Sequence, residues 1–401
     1  MAFQEFDGKS YLKIDIANNY GLDKLNWDER IAWFDDHQHQ LHKMLAQAEE
    51  PALFYAGILA WEKAQKGEPS GYPISLDATA SGIQILAVLA GDRKAAELCN
   101  VVDTGRREDA YTNLYQHMVD QLGDTAKIDR KQTKQSIMTS FYGSTATPKR
   151  VFGEGQLLDL FYSTMKERAP GAWEINETML AIWDNTALKY GWVMPDNFHV
   201  ELKVMGDVVD TVHFLNEPFE VRYAVNTPID GGRSLGANLV HSLDGMVVRE
   251  MGRRCMYDPE RIKALKKALE KGPWGVSTTR SQDQMVQTLW KHYEQSGFLS
   301  ARILDHLDRA NLGHVSHPPL QKLLASLPKK PFQLIAIHDC FRCLPNYGND
   351  LRRQYNQLLA ELAESRMLSH LVSQIVRRPV TVEKLDPNLG ASIRQANYAL
   401  S

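Results

Sequence analysis

The sequence has little of what most readily announces a function. Four cysteines in 401 residues are too few and too scattered for a disulfide framework. No apolar run reaches membrane-spanning length, and the opening MAFQEFDGKS has neither the basic nor the apolar stretch of a secretory signal. These absences predict a soluble, intracellular chain with no membrane contact. Charge of one sign is lacking too, with 46 Lys and Arg against 49 Asp and Glu and a formal net charge of -3. That excludes a global basic field drawing the chain to nucleic acid, though not a local basic channel. There is no G-x-x-x-x-G-K-[ST], no H-E-x-x-H and no G-x-S-x-G, which removes the commonest phosphate-loop, zinc-protease and serine-hydrolase readings. Internal repeats, low-complexity tracts and long linkers are also missing, which favours one catalytic body over a string of modules.

Two metal-like clusters are incomplete. Cys340 and Cys343 form a C-x-x-C, but a structural zinc site needs four ligands and no second pair exists. Of His37, His39 and His42, only the last two are spaced to share a helix face, and they read as a solvated one.

Helical periodicity dominates what is present, at residues 27–66, 105–122, 128–141, 156–188, 258–270, 283–310 and 350–376. Strand-like alternation occupies 72–77, 198–214, with MGD as a hairpin turn, and 333–338. The expected class is helix-rich α+β. Pro- and Gly-bearing breaks near 67–73, 226–236, 272–275 and 327–331 mark joints within it.

Two strands end in an aspartate. In LIAIHDCF, four apolar residues lead to His338 and Asp339, with Ile335 and Ile337 expected to anchor a buried strand. In YPISLDATASGIQ, the strand reaches Asp77 and a helix follows, with Ser81 as a possible N-cap. Taken alone, each aspartate reads as a turn or cap residue. If the strands are neighbours, the carboxylates converge on a pair of hard cations, and two Mg²⁺ about 3.5 to 4 Å apart suit an in-line phosphoryl displacement.

A third stretch, RKQTKQSIMTSFYGS, lines up Arg130, Lys134, Met138 and Phe141 on one helical stripe, with Tyr142 at its edge and Gly143 as a C-terminal stop. From Lys134 to Tyr142 the rise is roughly 12 Å, close to the reach of a nucleoside triphosphate from phosphates to base. An amphipathic surface helix accounts for the same pattern without any ligand.

Together, DATASGIQ, RKQTKQSIMTSFYGS and HDCF resemble motifs A, B and C of the single-subunit, bacteriophage-type RNA polymerases, in the family's order. YLKIDIANNYGLDKLNWDERIAWF, the DAY ending at Tyr111, NLVHSLDG at 238–245 and the final DPNLGASIRQANYALS are similar to further segments of that family. The resemblance implies that Asp77, the backbone carbonyl of Ala78, and Asp339 hold two Mg²⁺. It implies that Arg130 and Lys134 grip the incoming triphosphate, with Lys134 able to protonate the leaving pyrophosphate. Tyr142, followed by Gly143, would meet the new nucleotide and sense its sugar beside Met138, with His241 near the ribose 2′-OH. Tyr111 and Lys24 match positions lining the nucleotide site, and His338 would shape the turn or touch the RNA end.

The related right-hand DNA polymerases are the rival, since their fingers helix has the same Arg, Lys and Tyr-Gly spacing. They carry a sugar-blocking glutamate where this chain has Gly82, and usually a glutamate where it has Cys340. A catalytically inactive polymerase-like scaffold is the non-enzymatic alternative.

The resemblance further implies a right-hand palm and fingers, with the thumb and N-terminal region missing. Residues 1–110 would form the palm lead-in with motif A, and 111–197 the fingers with motif B. Residues 198–245 would hold a hairpin and the HSLDG segment, 246–330 a helical insertion, and 331–401 motif C and the tail. The hairpin falls where the family reads promoter DNA. Only 76 residues precede Asp77, and no T/D-x-x-G-R element is found: DTGR, DGGR and REMGR, ending at Arg106, Arg233 and Arg253, have the wrong spacing or first residue. Gln135 also replaces a basic residue common in motif B. The expectation is a larger, catalytic subunit of a split, two-chain phage enzyme. A second polypeptide would supply the missing parts, with DNA template, NTPs, RNA product and a single-stranded DNA-binding or recruiting factor as further partners. Its place would be the cytoplasm of an infected bacterial host.

Overall fold

Apolar alternation on three short segments far apart in sequence builds the sheet that carries both aspartates. In the computed structural model, which describes residues 2–124, 127–232 and 234–401, the strands are β1 (Ile74–Asp77), β2 (Lys189–Val193), β3 (His199–Lys203), β4 (Met205–Phe214), β5 (Glu217–Asn226), β6 (Ile335–Ile337) and β7 (Cys340–Cys343). They form a three-stranded antiparallel sheet in the order β1-β7-β6 and two separate antiparallel pairs, β2-β3 and β4-β5. Helices make up most of the rest, so the class is helix-rich α+β as expected.

The central strand is β7, and it supplies the burial expected of the segment before Asp339. Phe341 and Cys343 are each 1% exposed, whereas Ile335 and Ile337 are 51% and 56% exposed. The expected anchoring by these two isoleucines is therefore corrected. With a period of two, Leu334 and Ala336 take the covered face of this edge strand, and the isoleucines fall on the open one. An unbroken apolar run hides that alternation from a reader of sequence.

Behind the sheet runs the helix Ser81–Ala90, buried along its whole length. SGIQILAVLA is apolar on every side, which suits a helix surrounded by others. Helices Pro170–Ala181, Ser234–Cys255 and Gly348–Glu364 pack around it. Its buried Gln84 is satisfied, accepting from Tyr355 Oη at 2.6 Å and donating to the carbonyls of Cys99 and Ala399, both at 3.0 Å. The N-cap is Ala80, not Ser81, whose hydroxyl is turned elsewhere.

Other boundaries differ from the periodicity. The single helical stretch expected over 27–66 divides into Trp27–His37, a 3-10 turn Leu41–Gln47 and Pro51–Gln65, with Pro51 opening the last helix as its fixed φ favours. The longest helix, Ser234–Cys255, escapes the periodicity because Gly236, Gly245 and Gly252 lower its intrinsic propensity. Tertiary packing of Leu239, Leu243, Met246 and Met251 overrides that. The hairpin expected at 198–214 is corrected as well: MGD does not turn but begins β4, which pairs residue for residue with β5 through a Leu215-Asn216 turn. Both turn residues have positive φ, 51° and 68°, matching the right-handed twist of the strands.

A second core, centred on Ile262, Val286, Leu289, Ile303 and Leu320, fills residues 262–324. Buried charges join it to the main body. Glu250, on the long helix, pairs with Arg254 at 3.2 Å and accepts from Ser300 Oγ and the Ala301 amide, at 2.5 and 2.9 Å. Within the main body Arg254 also reaches Glu361 at 2.8 Å and Arg249 and Arg253 both hold Asp196, whose carbonyl accepts from Arg302 of the second core's segment at 2.9 Å. Among the described residues, no helix is long and apolar enough to cross a membrane.

Candidate active site

Pairing of β1 with β7 sets Asp77 opposite Cys340, the residue after Asp339. The two aspartates thus come together from adjacent strands, Asp77 at a strand end and Asp339 in the two-residue turn between β6 and β7. His338 takes φ 56°, the strained half of that turn. The Ala78 amide donates to the Asp339 carbonyl at 3.0 Å, locking the two loops together. From the other side, Asp77 and Ser401 exchange backbone hydrogen bonds of 3.3 and 2.9 Å, and the Thr79 amide donates to the Ala399 carbonyl. Both ends of the aspartate-bearing segment are fixed by backbone, so its carboxylate position does not depend on side-chain packing alone.

Burial raises the Asp77 carboxyl above its usual range, with the neighbouring Asp339 adding to the effect against a hydrogen bond from Cys340. Burial and Asp77 also push the Cys340 thiol up to about 11, so it stays protonated, and Ser75 Oγ lies 2.9 Å from its sulfur. The C-x-x-C is not a chelate, since on a strand its two sulfurs take opposite faces, and all four cysteines are free. Among the described residues, no group of three or more His, Cys, Asp or Glu side chains is placed to hold a metal. Two carboxylates with a backbone carbonyl beside them fit a hard cation that keeps water and substrate oxygens, as Mg²⁺ does, and do not fit zinc. The Asp77 carboxyl, raised by burial beside Asp339, is also what a divalent cation would relieve.

Above these residues opens a cavity of about 300 Å³ lined by Ala78, Thr79, Ser81, Gly82, Tyr111, Lys134, Met138, Phe141, Tyr142 and Asp339. A larger cleft of about 990 Å³, along Lys189 and Arg377, gathers none of the residues singled out by sequence. The small cavity is therefore the chemically coherent one. Its far wall is the helix Arg130–Ser140, capped by Asp129 accepting from the Gln132 amide and followed by Gly143 at φ 87°.

The predicted residues fall into two groups. Lys134 faces the cavity with its ammonium 5.2 Å from the centre of the Tyr111 ring, a cation–π contact. Tyr142 packs 5.2 Å from His241, and burial together with Asp244 and Asp339 pushes its hydroxyl up to about 12. Gly82 lies under that ring: a Cβ there would sit 2.5 Å from Tyr142 Oη and 2.8 Å from Cζ. Arg130 and Lys24 do not line the cavity. Arg130 donates to Thr112 Oγ1 at 2.6 Å, and both cations approach the Asp109 carboxylate, at 3.6 and 3.5 Å. Although burial opposes it, hydrogen bonds from Thr112 and the charges of Lys24 and Arg107 hold Asp109 below the usual carboxylate range.

Sequence reasoning missed Asp244. Its carboxylate accepts from Ser81 Oγ at 3.3 Å, and burial with the Asp339 charge pushes its pKa up to about 6. A signal was available, because Asp244 stands three residues from His241 on one helix face. Asp109 and the tail 399–401 were not singled out as site residues either, although both lie in segments, DAY and the final DPNLGASIRQANYALS, that are similar to the family. Arg233, which ends DGGR, lies outside the described residues.

With this geometry established, comparison with known proteins becomes specific. A family model for DNA-dependent RNA polymerase matches residues 4–183. That stretch is similar to RNA polymerase. It contains Asp77, Tyr111, Arg130, Lys134 and Tyr142, while Asp339 and His241 lie beyond it and are brought in by the fold. Relatives include a probable DNA-directed RNA polymerase of Neurospora crassa, 29% identical over 160 residues, covering 34% of this chain and 18% of that protein. The DNA-directed RNA polymerase of Pseudomonas phage phiKMV is 28% identical over 173 residues, covering 34% and 21%. The mitochondrial DNA-directed RNA polymerase 1 of Arabidopsis thaliana is 28% identical over 178 residues, covering 36% and 18%. The aligned stretch spans about a fifth of the length of these relatives.

Proposed function

We propose that this chain carries the catalytic centre of a DNA-directed RNA polymerase of the single-subunit type, adding nucleotides from NTPs to an RNA 3′ end with release of pyrophosphate. The observation that carries the reading is one cavity lined by Asp339, Lys134, Met138 and Tyr142, with Asp77 set beside Asp339 by the pairing of β1 with β7. In this reading the sheet is the palm and the Arg130–Ser140 helix belongs to the fingers.

Asp77, Asp339 and the Ala78 carbonyl would hold two Mg²⁺, which supply charge neutralisation at the attacking and leaving oxygens. The remaining work is positioning and electrostatics in the protein's own hands. Lys134 stands where a triphosphate enters and serves as the proton source for pyrophosphate. Arg130 joins it on the phosphates by exchanging Thr112 and Asp109 for the ligand. Tyr111 and Met138 offer apolar surface to the base, and Tyr142 with His241 faces the sugar. Gly82 supports ribonucleotide use in an unexpected way. Its missing side chain makes room for the Tyr142 ring, so a glutamate of the DNA polymerase kind would displace that ring as well as a ribose.

The elements that grip an RNA:DNA hybrid come from outside these residues in this proposal, from a second polypeptide as in split phage enzymes or from further chain. The phage relative supports work in the cytoplasm of an infected bacterium, and the plant and fungal relatives widen the setting to organelles.

The test is Mg²⁺-dependent incorporation on single-stranded DNA, run with ribonucleotides and separately with deoxyribonucleotides, for the chain alone and with whatever co-purifies. Ribonucleotide incorporation abolished by Asp339→Asn supports the proposal. Preference for deoxyribonucleotides hands the site to the DNA polymerase reading, and incorporation unaffected by Asp339→Asn refutes the two-carboxylate assignment.

A further inference from the structure

The sheet that delivers the aspartates has an open face that the nucleotide cavity does not use. Its register lines that face with two rows, Asp77-Cys340-Ile337 and Ser75-Arg342-Ile335, while Leu76, Phe341 and Ala336 take the other. Both isoleucines meet solvent, and Arg342 between them is half-buried. The Nε of Arg342 is buried with no hydrogen-bond partner. Its guanidinium lies beside the Cys340 thiol and acts on Asp77 and Asp15, yet among the described residues it forms an ion pair with neither carboxylate. A buried donor without an acceptor is costly, and a guanidinium suits the forked oxygens of an anion such as phosphate.

Placement decides which anion. The triphosphate has its place on the Lys134 side, in the cavity. The 3′ end that it joins must reach the same carboxylates by another approach, and the open face of the sheet leads to them. Arg342 stands two residues back from the Asp77 row, roughly 7 Å along the strand, a distance comparable with one nucleotide of a chain whose end lies over Asp77 and Asp339. It is the one cation among the six residues of the two rows. On the polymerase reading given above, we propose that Arg342 binds the phosphodiester next to the 3′-terminal nucleotide of the strand being extended, with Ile335 and Ile337 beneath its sugars. Such a contact carries no sequence information and fixes the register of the strand over the carboxylates.

The test measures binding of an RNA primer annealed to a DNA template, by fluorescence anisotropy in EDTA over a salt series, with the chain purified in its native assembly. A second primer carries an uncharged methylphosphonate in place of the phosphodiester next to its 3′-terminal nucleotide. Arg342→Gln should weaken binding of the normal primer by about tenfold and lower the salt slope by about one, and Arg342→Lys should restore part of both. The methylphosphonate primer should bind the parent as weakly as the normal primer binds Arg342→Gln, and the two changes together should cost no more than either alone. With Mg²⁺ added, Arg342→Gln should raise KM for the primer-template and leave KM for the ribonucleotide unchanged. Additive losses, or a ribonucleotide KM that rises in place of the primer KM, overturn the inference. So does a variant that only lowers the urea midpoint while both primers bind it as they bind the parent, which would make Arg342 a support for Asp15. Normal extension by the parent and by Arg342→Gln alike overturns this inference alone, whereas a parent assembly that neither binds nor extends the primer overturns the polymerase reading with it.

Discussion

Two hairpins in this chain are made by the same device and put to opposite ends. Each joins antiparallel strands through two residues and needs positive φ in the turn, at His338 in one and at Leu215 and Asn216 in the other. The β6-β7 hairpin has strands of three and four residues, and β7 is sealed between β1 and β6. The β4-β5 hairpin has strands of ten residues each and stands apart. Shortness with cover produces a rigid post for one carboxylate. Length without cover produces a surface that waits for something else to complete it.

Breaking the short hairpin should have the larger consequences. Asp339→Asn removes charge from its turn while leaving the backbone bond to Ala78 intact. Incorporation should fall by on the order of a thousandfold with an unchanged urea midpoint; comparable activity would remove this hairpin from catalysis. Phe341→Ala empties a fully buried site in β7 and should cost about 3–5 kcal/mol by urea unfolding.

A pH test addresses the support of β1. Asp15 is buried, accepting from Tyr72 Oη at 2.6 Å and the Ser75 amide at 2.8 Å, yet burial outweighs these bonds and raises its pKa to about 6. Below about pH 4 the carboxyl is protonated in folded and unfolded chains alike. Between there and about pH 6 the unfolded chain ionises first, so this contribution is lost as pH rises, amounting to roughly 2 to 3 kcal/mol. Asp15→Asn should flatten the stability profile over that window, measured by urea midpoints at half-unit steps. A parallel profile for both proteins would count against a protonated Asp15.

Smaller effects sharpen the contrast. Gly82→Ala, pressing on Tyr142, should cost about 1–3 kcal/mol of overpacking and raise KM for ribonucleotides more than it lowers stability. Phe219→Ala on the long ribbon should stay within about 0.5 kcal/mol of the parent, against the large loss at Phe341. Equal losses at the two phenylalanines would end the distinction between the hairpins.

The same contrast explains what was legible in the sequence. Asp77, Lys134, Met138 and Tyr142 could be found because each sits in a local pattern, a strand end or a helical stripe; the fold lines one cavity with the last three and Asp339, and sets Asp77 beside Asp339. The roles of Asp109 and the 399–401 tail could not, although both lie in family-like segments, because the pairing of Asp109 with Lys24 and Arg130 and of the tail with residues 77–79 is tertiary. Apolar runs gave the right strands but not the right faces: Ile335 and Ile337 look as buried as Phe341 until the neighbour on each side is known. The long helix Ser234–Cys255 was hidden by its glycines, whose weak propensity is overridden only by packing that becomes visible in three dimensions.

The buried charges around Glu250 bear on how the molecule comes apart. Residues 262–324 hold a core of their own and on area alone could melt separately. Yet opening the junction would strip the buried Glu250 carboxylate of the Ser300 hydroxyl and the Ala301 amide, and the buried Arg254 of the Leu299 carbonyl, and a buried charge short of partners is among the costliest states a protein can visit. Neither core can loosen without exposing the other to that penalty. The two are thermodynamically coupled, and a calorimeter should record one transition where two hydrophobic centres would suggest two.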